Sequence, residues 1–313
     1  MPELEVAGKR WTVEPATNLL DALNAAGCNV PYSCRAGSCH ACMVRCVSGE
    51  PADARPDALD AGRRTEGWRL ACQCLVVQDL VVEVFDPLRD GLAAEVLSVD
   101  WLIPDVLRLR LSPLRPFRYS AGQHVLLWND EGIARPYSLA SLPGEDDFLE
   151  FHLECRDPGL FSGRARRLRP GDVLRLGELH GGALHYDPAW DDRPLLLLAS
   201  GTGLAPLWGL LREALRQHHS GPIRVIHLAH DASGHYLAEP LAVLAAAHAS
   251  VQVELITPAE LPGILAQFRL VSRRTVALLC GQPASVDEFA RRLYLAGLPR
   301  NQLLADVFLT RVP

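Results

Sequence analysis

The chain has 313 residues, of which 49% are hydrophobic and 22% charged, and its formal net charge is −6. This composition is typical of a folded globular protein and excludes disordered, collagen-like and disulfide-scaffold classes. At this length the chain can form anything from one large domain to three small ones. No apolar run approaches the ~20 residues that cross a bilayer, and no secretory signal is expected at the N-terminus. No basic face is clustered as nucleic-acid binding would require. We therefore expect a cytoplasmic protein without a membrane or nucleic-acid partner.

Residues 1–86 have the pattern of a compact first unit. Apolar residues alternate between Leu4 and Val13 and predict a β-hairpin. Thr17 is placed to cap a helix that ends at Gly27. The unit carries 8 basic and 12 acidic residues, so most of the negative charge of the chain lies here. A segment with Pro and Gly at 87–92 is predicted to be a linker.

The cysteines carry the first chemical signal. Nine are present, and six of them lie between Cys28 and Cys72. In a reducing compartment, clustered thiols more often bind metal or do redox chemistry than form disulfides. The C-x4-C-x2-C spacing of Cys34, Cys39 and Cys42, with Cys72 as a distant fourth, is the plant-type arrangement for a [2Fe-2S] cluster. The alternatives are a set of inert buried thiols and a zinc site, although zinc sites prefer paired short spacings.

Residues 31–39, PYSCRAGSC, closely resemble the cluster loop of plant-type ferredoxins, and the resemblance extends over residues 1–86. It implies a β-grasp fold of the α+β class. His40 stands where such ferredoxins usually carry Gly or Ser, and we expect it to tune the cluster potential rather than to bind iron. Cys74 could compete with Cys72, but the resemblance favours Cys72. The implied ligands are Cys34, Cys39, Cys42 and Cys72.

Residues 93–190 contain short alternating runs separated by Gly and Pro, which predict an antiparallel barrel or sandwich. The sequence Arg135-Pro136-Tyr137-Ser138 resembles the RxYS motif of the ferredoxin–NADP reductase superfamily. The resemblance implies an antiparallel β-barrel that binds FAD rather than FMN. An arginine suits the pyrophosphate, a tyrosine ring stacks on isoalloxazine, and a serine hydroxyl bonds a ring nitrogen. Ser138 is the catalytic candidate of this unit.

A glycine turn follows the RPYS motif in the order that the superfamily shows. A turn before a helix over 163–168 offers free N–H groups to a phosphate. The alternative is a plain turn in which Ser162 caps this helix, but the position after RPYS favours the phosphate. Gly177–Gly182 departs from the Gly-Pro-x-Gly of relatives, so we expect an altered loop near the adenine or the nicotinamide. The residues of the turn are Pro158, Gly159, Leu160, Phe161 and Ser162.

From residue 191 to 313, strands alternate with helices and predict an α/β, doubly wound parallel sheet. The apolar run Leu195–Ala199 is followed by GTGLAP and an amphipathic pattern, which is the strand–turn–helix context of a dinucleotide turn. Together with Cys280-Gly281-Gln282-Pro283, this turn resembles the nicotinamide lobe of the same superfamily. The implied cofactor contacts are Gly201, Thr202, Gly203, Pro206, Cys280, Gly281 and Gln282.

Two residues of this lobe, Thr202 and Cys280, are catalytic candidates, and Cys280 is expected to line the hydride path without forming a covalent bond. Asp231 follows the next strand, would repel a 2′-phosphate and would suit a ribose diol, so NADH is favoured over NADPH. Asp231 lies 30 residues after Gly201, farther than the ~20 of the dinucleotide fingerprint. For Phe308 the alternatives are packing beside the flavin and a place in the core, and the core is favoured.

The order of the three units resembles that of reductase components of bacterial multicomponent oxygenases. The units are a ferredoxin domain (1–86), a flavin domain (93–190) and a nicotinamide domain (191–313). The resemblance implies an oxidoreductase of the ferredoxin reductase type that passes electrons from NADH through FAD and the [2Fe-2S] cluster. The expected partner is an external acceptor protein, an oxygenase component. The alternatives are a reductase for a sugar dehydrase and a non-catalytic redox sensor or carrier with decayed sites.

Overall fold

The computed structural model describes residues 1–155, 159–270 and 272–309. Pro158 of the predicted phosphate-binding turn lies outside the described residues, and so does the 310–313 end of the predicted nicotinamide domain. Within the described ranges, no helix has the length and apolar character needed to cross a membrane.

The first unit contains a five-stranded mixed sheet, a small three-stranded sheet and two helices. The predicted helix is present, but its cap is Asn18, whose side chain accepts the N–H of Asp21 at 3.4 Å. The expectation for Thr17 is therefore wrong, because its hydroxyl donates backwards to the carbonyl of Glu14 at 2.7 Å. The elements are β1 (Glu3–Val6), β2 (Lys9–Thr12), β3 (Thr17–Asn18), α1 (Leu19–Ala25), β4 (Met43–Ser48), β5 (Ala52–Asp53), α2 (Ala61–Thr65), β6 (Trp68–Leu70), β7 (Cys74–Val76) and β8 (Leu80–Val84).

The larger sheet has the order β2-β1-β8-β4-β6. β1 and β2 form the predicted hairpin, and β1 is parallel to β8. Three fully buried leucines of α1, Leu19, Leu20 and Leu23, pack into the core of this unit. A mixed sheet covered by one amphipathic helix is an α+β arrangement, and it leaves the cysteine loop between α1 and β4 on the surface of the unit.

The second unit is a six-stranded antiparallel sheet in the order β12-β11-β14-β9-β10-β13. Its short helix begins at Leu160, and Gly159 is the N-cap. The helix predicted over 163–168 therefore starts three residues earlier, and the alternative in which Ser162 caps it is wrong, because Ser162 already lies within the first turn. The elements are β9 (Leu92–Ile103), β10 (Val106–Pro113), β11 (His124–Trp128), β12 (Ala134–Ser138), β13 (Leu149–Glu154), α3 (Leu160–Ala165) and β14 (Val173–His180).

The third unit is a five-stranded parallel sheet in the order β17-β16-β15-β18-β19, as its alternating pattern predicts. β15 is buried along its whole length because helices cover both faces of the sheet. The elements are β15 (Leu195–Ser200), α4 (Leu204–Arg216), β16 (Ile223–Leu228), α5 (Ala238–Ala247), β17 (Val251–Ile256), α6 (Leu261–Ala266), β18 (Val276–Gly281), α7 (Pro283–Leu295) and β19 (Leu303–Val307).

The first unit packs directly on the second. Phe85 stacks on Trp128 with ring centroids 5.5 Å apart and an interplanar angle of 22°. Beside this stack, Arg63 Nη1 lies 2.9 Å from Glu178 Oε2 in an ion pair between the units. The cysteine loop thereby faces the carboxyl end of the third unit's parallel sheet, where Ser33 Oγ donates to the carbonyl of Leu309 at 2.8 Å.

Candidate functional site

A cavity of about 680 Å³ lies where the three units meet. This volume is within the ~300–1,000 Å³ range of small-molecule and cofactor sites. The structure brings eleven of the predicted site residues to its walls, from all three units. They are Cys34, Cys39, Arg135, Pro136, Tyr137, Ser138, Gly159, Leu160, Phe161, Ser162 and Thr202.

The four predicted ligand thiols form two pairs. The side chains of Cys34 and Cys39 are hydrogen-bonded to each other, and so are those of Cys42 and Cys72. The bond from Cys39 lowers the pKa of Cys34 to about 4, and the bond from Cys42 lowers the pKa of Cys72 to about 7. Each iron of a [2Fe-2S] cluster takes two thiolates from the protein, so the paired arrangement fits that group.

Backbone groups of the cysteine loop point towards the thiols. Cys34 Sγ accepts from the N–H of Ala36 at 3.3 Å and from that of Cys39 at 3.4 Å. The loop curls through the left-handed region at Arg35 (φ 49°) and Gly37 (φ 78°). A side chain at Gly37 would press on Gln73, whose amide donates to the carbonyl of Arg35 at 2.9 Å. The loop therefore wraps around its own sulfur atoms.

The three cysteines of the first unit that lie outside the predicted ligand set pack in its core. Cys74 is fully buried in β7, and burial raises its pKa well above the ordinary value. Burial raises the pKa of Cys46 to about 11, and Cys28 packs partly against the same core. Among the described residues, no three His, Cys, Asp or Glu side chains are grouped so as to hold a single metal ion.

The flavin-motif residues form one wall of the cavity. The Tyr137 ring lies 5.2 Å from that of Phe161, so two aromatic side chains from β12 and α3 meet at this wall. Burial raises the pKa of Tyr137, which keeps its hydroxyl neutral. Ser138 is buried at the end of β12, directly opposite His124 of β11 in the strand register. An aromatic wall with a buried hydroxyl fits an isoalloxazine ring.

The nicotinamide turn is held by a close approach between two strand ends. A Cβ at Gly203 would collide with the carbonyl of Cys280, and a Cβ at Gly281 (φ +137°) would collide with Ser200. Ser200 Oγ also accepts the N–H of Gln282 at 2.8 Å. The glycines therefore allow β15 and β18 to end side by side, and the turn places Thr202 at the cavity wall.

Several predicted residues of the third unit do not reach the cavity wall. Cys280 is fully buried behind the turn, Gly281 is buried beside it, and Gln282 is exposed. Pro206 is buried within α4. Asp231 is exposed after β16 and accepts from the N–H of Ser233 at 2.9 Å.

Gly201 and Phe308 also lie at the carboxyl end of the third unit's sheet. Gly201 adopts φ +53°, and its carbonyl accepts from His227 Nε2 at 3.0 Å. Phe308 is half-buried, and it both packs against the core of the third unit and lines the cavity, so it combines the two alternatives considered for it. Its N–H donates to the carbonyl of Gly281 at 2.8 Å, which aligns this segment along the strand end.

The expected loop at 177–182 is largely strand. Gly177 through His180 belong to β14, where Glu178 pairs with Arg63 and the His180 ring packs edge-on against His40 at 5.0 Å. At the other end of the segment, a Cβ at Gly182 would lie 3.3 Å from Asp306 Oδ2, and Asp306 lines the central cavity. The placement of this segment near the adenine or the nicotinamide therefore stays a prediction. The segment that departs from the usual Gly-Pro-x-Gly thus supplies Glu178 and His180 to the interface between the first and second units.

Sequence reasoning missed two histidines at the cavity wall, His124 and His152. His152 Nε2 lies 3.0 Å from Glu150 Oε1, and its Nδ1 lies 3.2 Å from the Tyr236 hydroxyl. Both histidines occupy buried positions of apolar strands. A histidine within an apolar run of the sequence is the signal that could have indicated them.

Known proteins share these features. Residues 4–77 match the family described as the 2Fe-2S iron-sulfur cluster binding domain. The reductase subunit of an Amycolatopsis aromatic O-demethylase is 37% identical over 241 residues, which covers 72% of this chain and 71% of that protein. The ferredoxin–NAD(+) reductase component of the Xanthobacter autotrophicus alkene monooxygenase system is 31% identical over 302 residues, covering 93% and 90%.

A solved structure matches nearly the whole chain. The crystal structure of the Amycolatopsis cytochrome P450 reductase GcoB superposes with a TM-score of 0.66 at 28% identity, covering 98% of this chain and 99% of that one. The chain therefore belongs to the family of ferredoxin–NAD(P) reductases that carry a [2Fe-2S] domain and use FAD and NAD(H), the family of oxidoreductases to which reductase components of multicomponent oxygenases belong.

Proposed function

We propose that the protein is the NADH-dependent reductase component of an oxygenase system and passes electrons from NADH through FAD and the [2Fe-2S] cluster to a separate oxygenase component. One observation carries the proposal. Cys34 and Cys39 of the cluster loop, Ser138 of the flavin motif and Thr202 of the nicotinamide turn share the wall of one cavity. A relay between three cofactors requires this proximity.

The flavin site belongs to the second unit. Arg135 would neutralise the pyrophosphate, Tyr137 would cover the isoalloxazine, and Ser138 would bond a ring nitrogen. The Gly159–Ser162 turn lies on the same wall as these residues. We further propose that the antiparallel sheet closes into a barrel, since the N–H of Ala140, just past β12, donates to the carbonyl of Glu150 in β13 at 2.8 Å.

The nicotinamide site belongs to the carboxyl ends of the parallel strands, where ligands of such sheets bind. Thr202 would contact the nicotinamide, while Gly201, Gly203 and Pro206 shape the turn. Cys280, Gly281 and Gln282 would affect nicotinamide binding indirectly, by fixing where β18 ends behind the turn. Asp231 supports NADH over NADPH, because its exposed carboxylate would repel a 2′-phosphate.

When bound, FAD supplies the conversion of a two-electron hydride into single electrons, and the protein supplies position and electrostatics. We place the domains at 1–86, 93–190 and 191–313 with a linker at 87–92, and the gap between β8, which ends at Val84, and β9, which begins at Leu92, supports a boundary in this region. We place the protein in the cytoplasm, since no cysteine of the described residues is in a disulfide, which suits a reducing compartment.

The acceptor is proposed to bind the acidic first unit. The excess of 12 acidic over 8 basic residues in 1–86 suits a more basic partner. Reduction of candidate acceptors by NADH tests the proposal, with a Rieske-type oxygenase, a diiron oxygenase and a cytochrome P450 as separate arms. We expect one of these acceptors to be reduced rapidly, at a rate that falls as the ionic strength rises. A rate that does not change with salt would contradict electrostatic docking, and no reduction in any arm would contradict the assigned partner class.

A further inference from the structure

One buried side chain touches both the cluster loop and the flavin wall. His124 is the first residue of β11, is 6% exposed and lines the central cavity. In the sheet it lies opposite Ser138 on one side and His180 on the other. Sequence motifs assign it no role, because it falls in an apolar strand after Gly122-Gln123.

The His124 ring also reaches across to the first unit. Its Nε2 lies 3.4 Å from the carbonyl oxygen of Cys39, a long hydrogen bond in which the ring N–H donates. Cys39 is a predicted cluster ligand, and its own N–H points at Cys34 Sγ. The hydrogen bond from His124 therefore ends on a residue that itself contacts the sulfur atoms of the loop.

The second ring nitrogen of His124 is in a different position. His124 Nδ1 is buried and has no hydrogen-bond partner among the described residues. A buried polar atom without a partner is costly, and it commonly marks a site that a bound group completes. The neighbouring ring of His180, whose centroid lies 5.6 Å away, packs against His124 and holds its orientation.

We propose that His124 is the positioning residue that fixes the distance between the flavin and the cluster. Its hydrogen bond to Cys39 anchors the cluster loop on β11, beside the serine that would hold the flavin ring. Each transfer oxidises the flavin by one electron and reduces one ferric ion of the cluster to ferrous, while the imidazole gains and loses neither an electron nor a proton. This inference rests on the proposed relay.

The test is anaerobic rapid mixing of the cofactor-loaded protein with NADH, following flavin and cluster absorbance separately. His124→Phe keeps a ring but removes the donor, and His124→Gln restores a donor of similar reach. We expect the ratio of the cluster-reduction rate to the flavin-reduction rate to fall severalfold in the Phe variant, because the released loop would no longer hold the two groups at a fixed distance. The Gln variant should recover a large part of the ratio.

A second readout does not depend on turnover. Amide hydrogen exchange of the peptide covering residues 34–42 should be faster in the Phe variant than in the natural protein and in the Gln variant. His185→Phe is the matched control, because His185 is an exposed histidine away from the cavity wall, whose ring hydrogen-bonds the carbonyl of Ala183 and lies 5.2 Å from that of Trp190. It should change neither the ratio nor the exchange.

The outcomes separate the inference from the function on which it rests. An unchanged rate ratio and unchanged exchange in His124→Phe would overturn the role of His124. If the Phe variant loses flavin or iron, the Gln variant decides, and a Gln variant that binds both cofactors but keeps the slow ratio would also overturn it. Failure of the natural protein to reduce its cluster with NADH would instead contradict the proposed relay.

Discussion

His152 Nδ1 lies 3.2 Å from the hydroxyl of Tyr236, and this contact joins the flavin sheet to the nicotinamide lobe. A ring N–H of His152, at Nε2, donates to the Glu150 carboxylate at 3.0 Å, and the other ring nitrogen lies against the Tyr236 hydroxyl. Glu150 in turn accepts from Arg110 Nε at 2.7 Å. A buried chain of polar groups therefore fixes how the two lobes meet beside the cavity.

Tyr236→Phe removes the hydroxyl at this junction. We expect a loss of about 1 kcal/mol in the free energy of unfolding and a several-fold slower reduction of the flavin by NADH, because the lobes are less precisely aligned. Tyr186→Phe is the control, since the Tyr186 hydroxyl also lies near a histidine nitrogen (His219 Nδ1, 3.1 Å) but away from the cavity wall. Equal effects of both variants on flavin reduction would contradict the alignment role.

Glu150 makes the stability of the fold depend on pH. Burial alone would raise the pKa of Glu150, but hydrogen bonds and charge from His152 and Arg110 outweigh it and lower the pKa from 4.5 to about 2. The stabilisation from Glu150 is therefore complete above about pH 5 and is lost as the pH falls towards about 2. From the size of this shift it is on the order of 3 kcal/mol.

The corresponding variant is Glu150→Gln, with denaturant unfolding measured between pH 7 and pH 3. The variant should be less stable at pH 7, and the gap should narrow as the pH falls. Glu239→Gln, at an exposed position of α5, should show a small gap at every pH. A gap for Glu150→Gln that stays constant with pH would show that the charge of Glu150 does not stabilise the fold.

Asp231→Ser tests the choice of nicotinamide cofactor. Removal of the carboxylate should raise kcat/KM for NADPH relative to NADH by about tenfold, because a charge that repels the 2′-phosphate is gone. Glu239→Ser removes a charge from the same lobe at a distance and should leave the ratio unchanged. A ratio that stays constant in Asp231→Ser would remove the basis for preferring NADH.

Cys39→Ser tests whether the units act separately. The variant should lose the cluster absorbance and the reduction of the protein acceptor, because one of four thiolates is missing. NADH oxidation with ferricyanide, which takes electrons from the flavin, should persist. Cys28→Ser is the control, since Cys28 lies in the same unit but outside the ligand pairs. Loss of the ferricyanide reaction in Cys39→Ser would mean that the flavin site depends on the cluster.

The sequence predicted the parallel sheet and the cysteine loop well, because continuous apolar runs and thiol spacing are local signals. It did not predict where the short helix of the second unit begins, because the capping residue is Gly159 and not Ser162. It also missed His124, His152 and the interface of Glu178, since each acquires its role from a residue more than 80 positions away or on another unit. Such contacts leave no pattern within a short window.

The central claim is that electrons from NADH reach the cluster through the flavin. An anaerobic titration of the natural protein with NADH, followed by absorbance and electron paramagnetic resonance, tests it most directly. The account predicts that the flavin bands and the broad iron–sulfur shoulder both bleach and that the signal of a reduced [2Fe-2S] cluster appears. Bleaching of the flavin bands alone, or no bleaching as expected of a redox sensor with decayed sites, would contradict it.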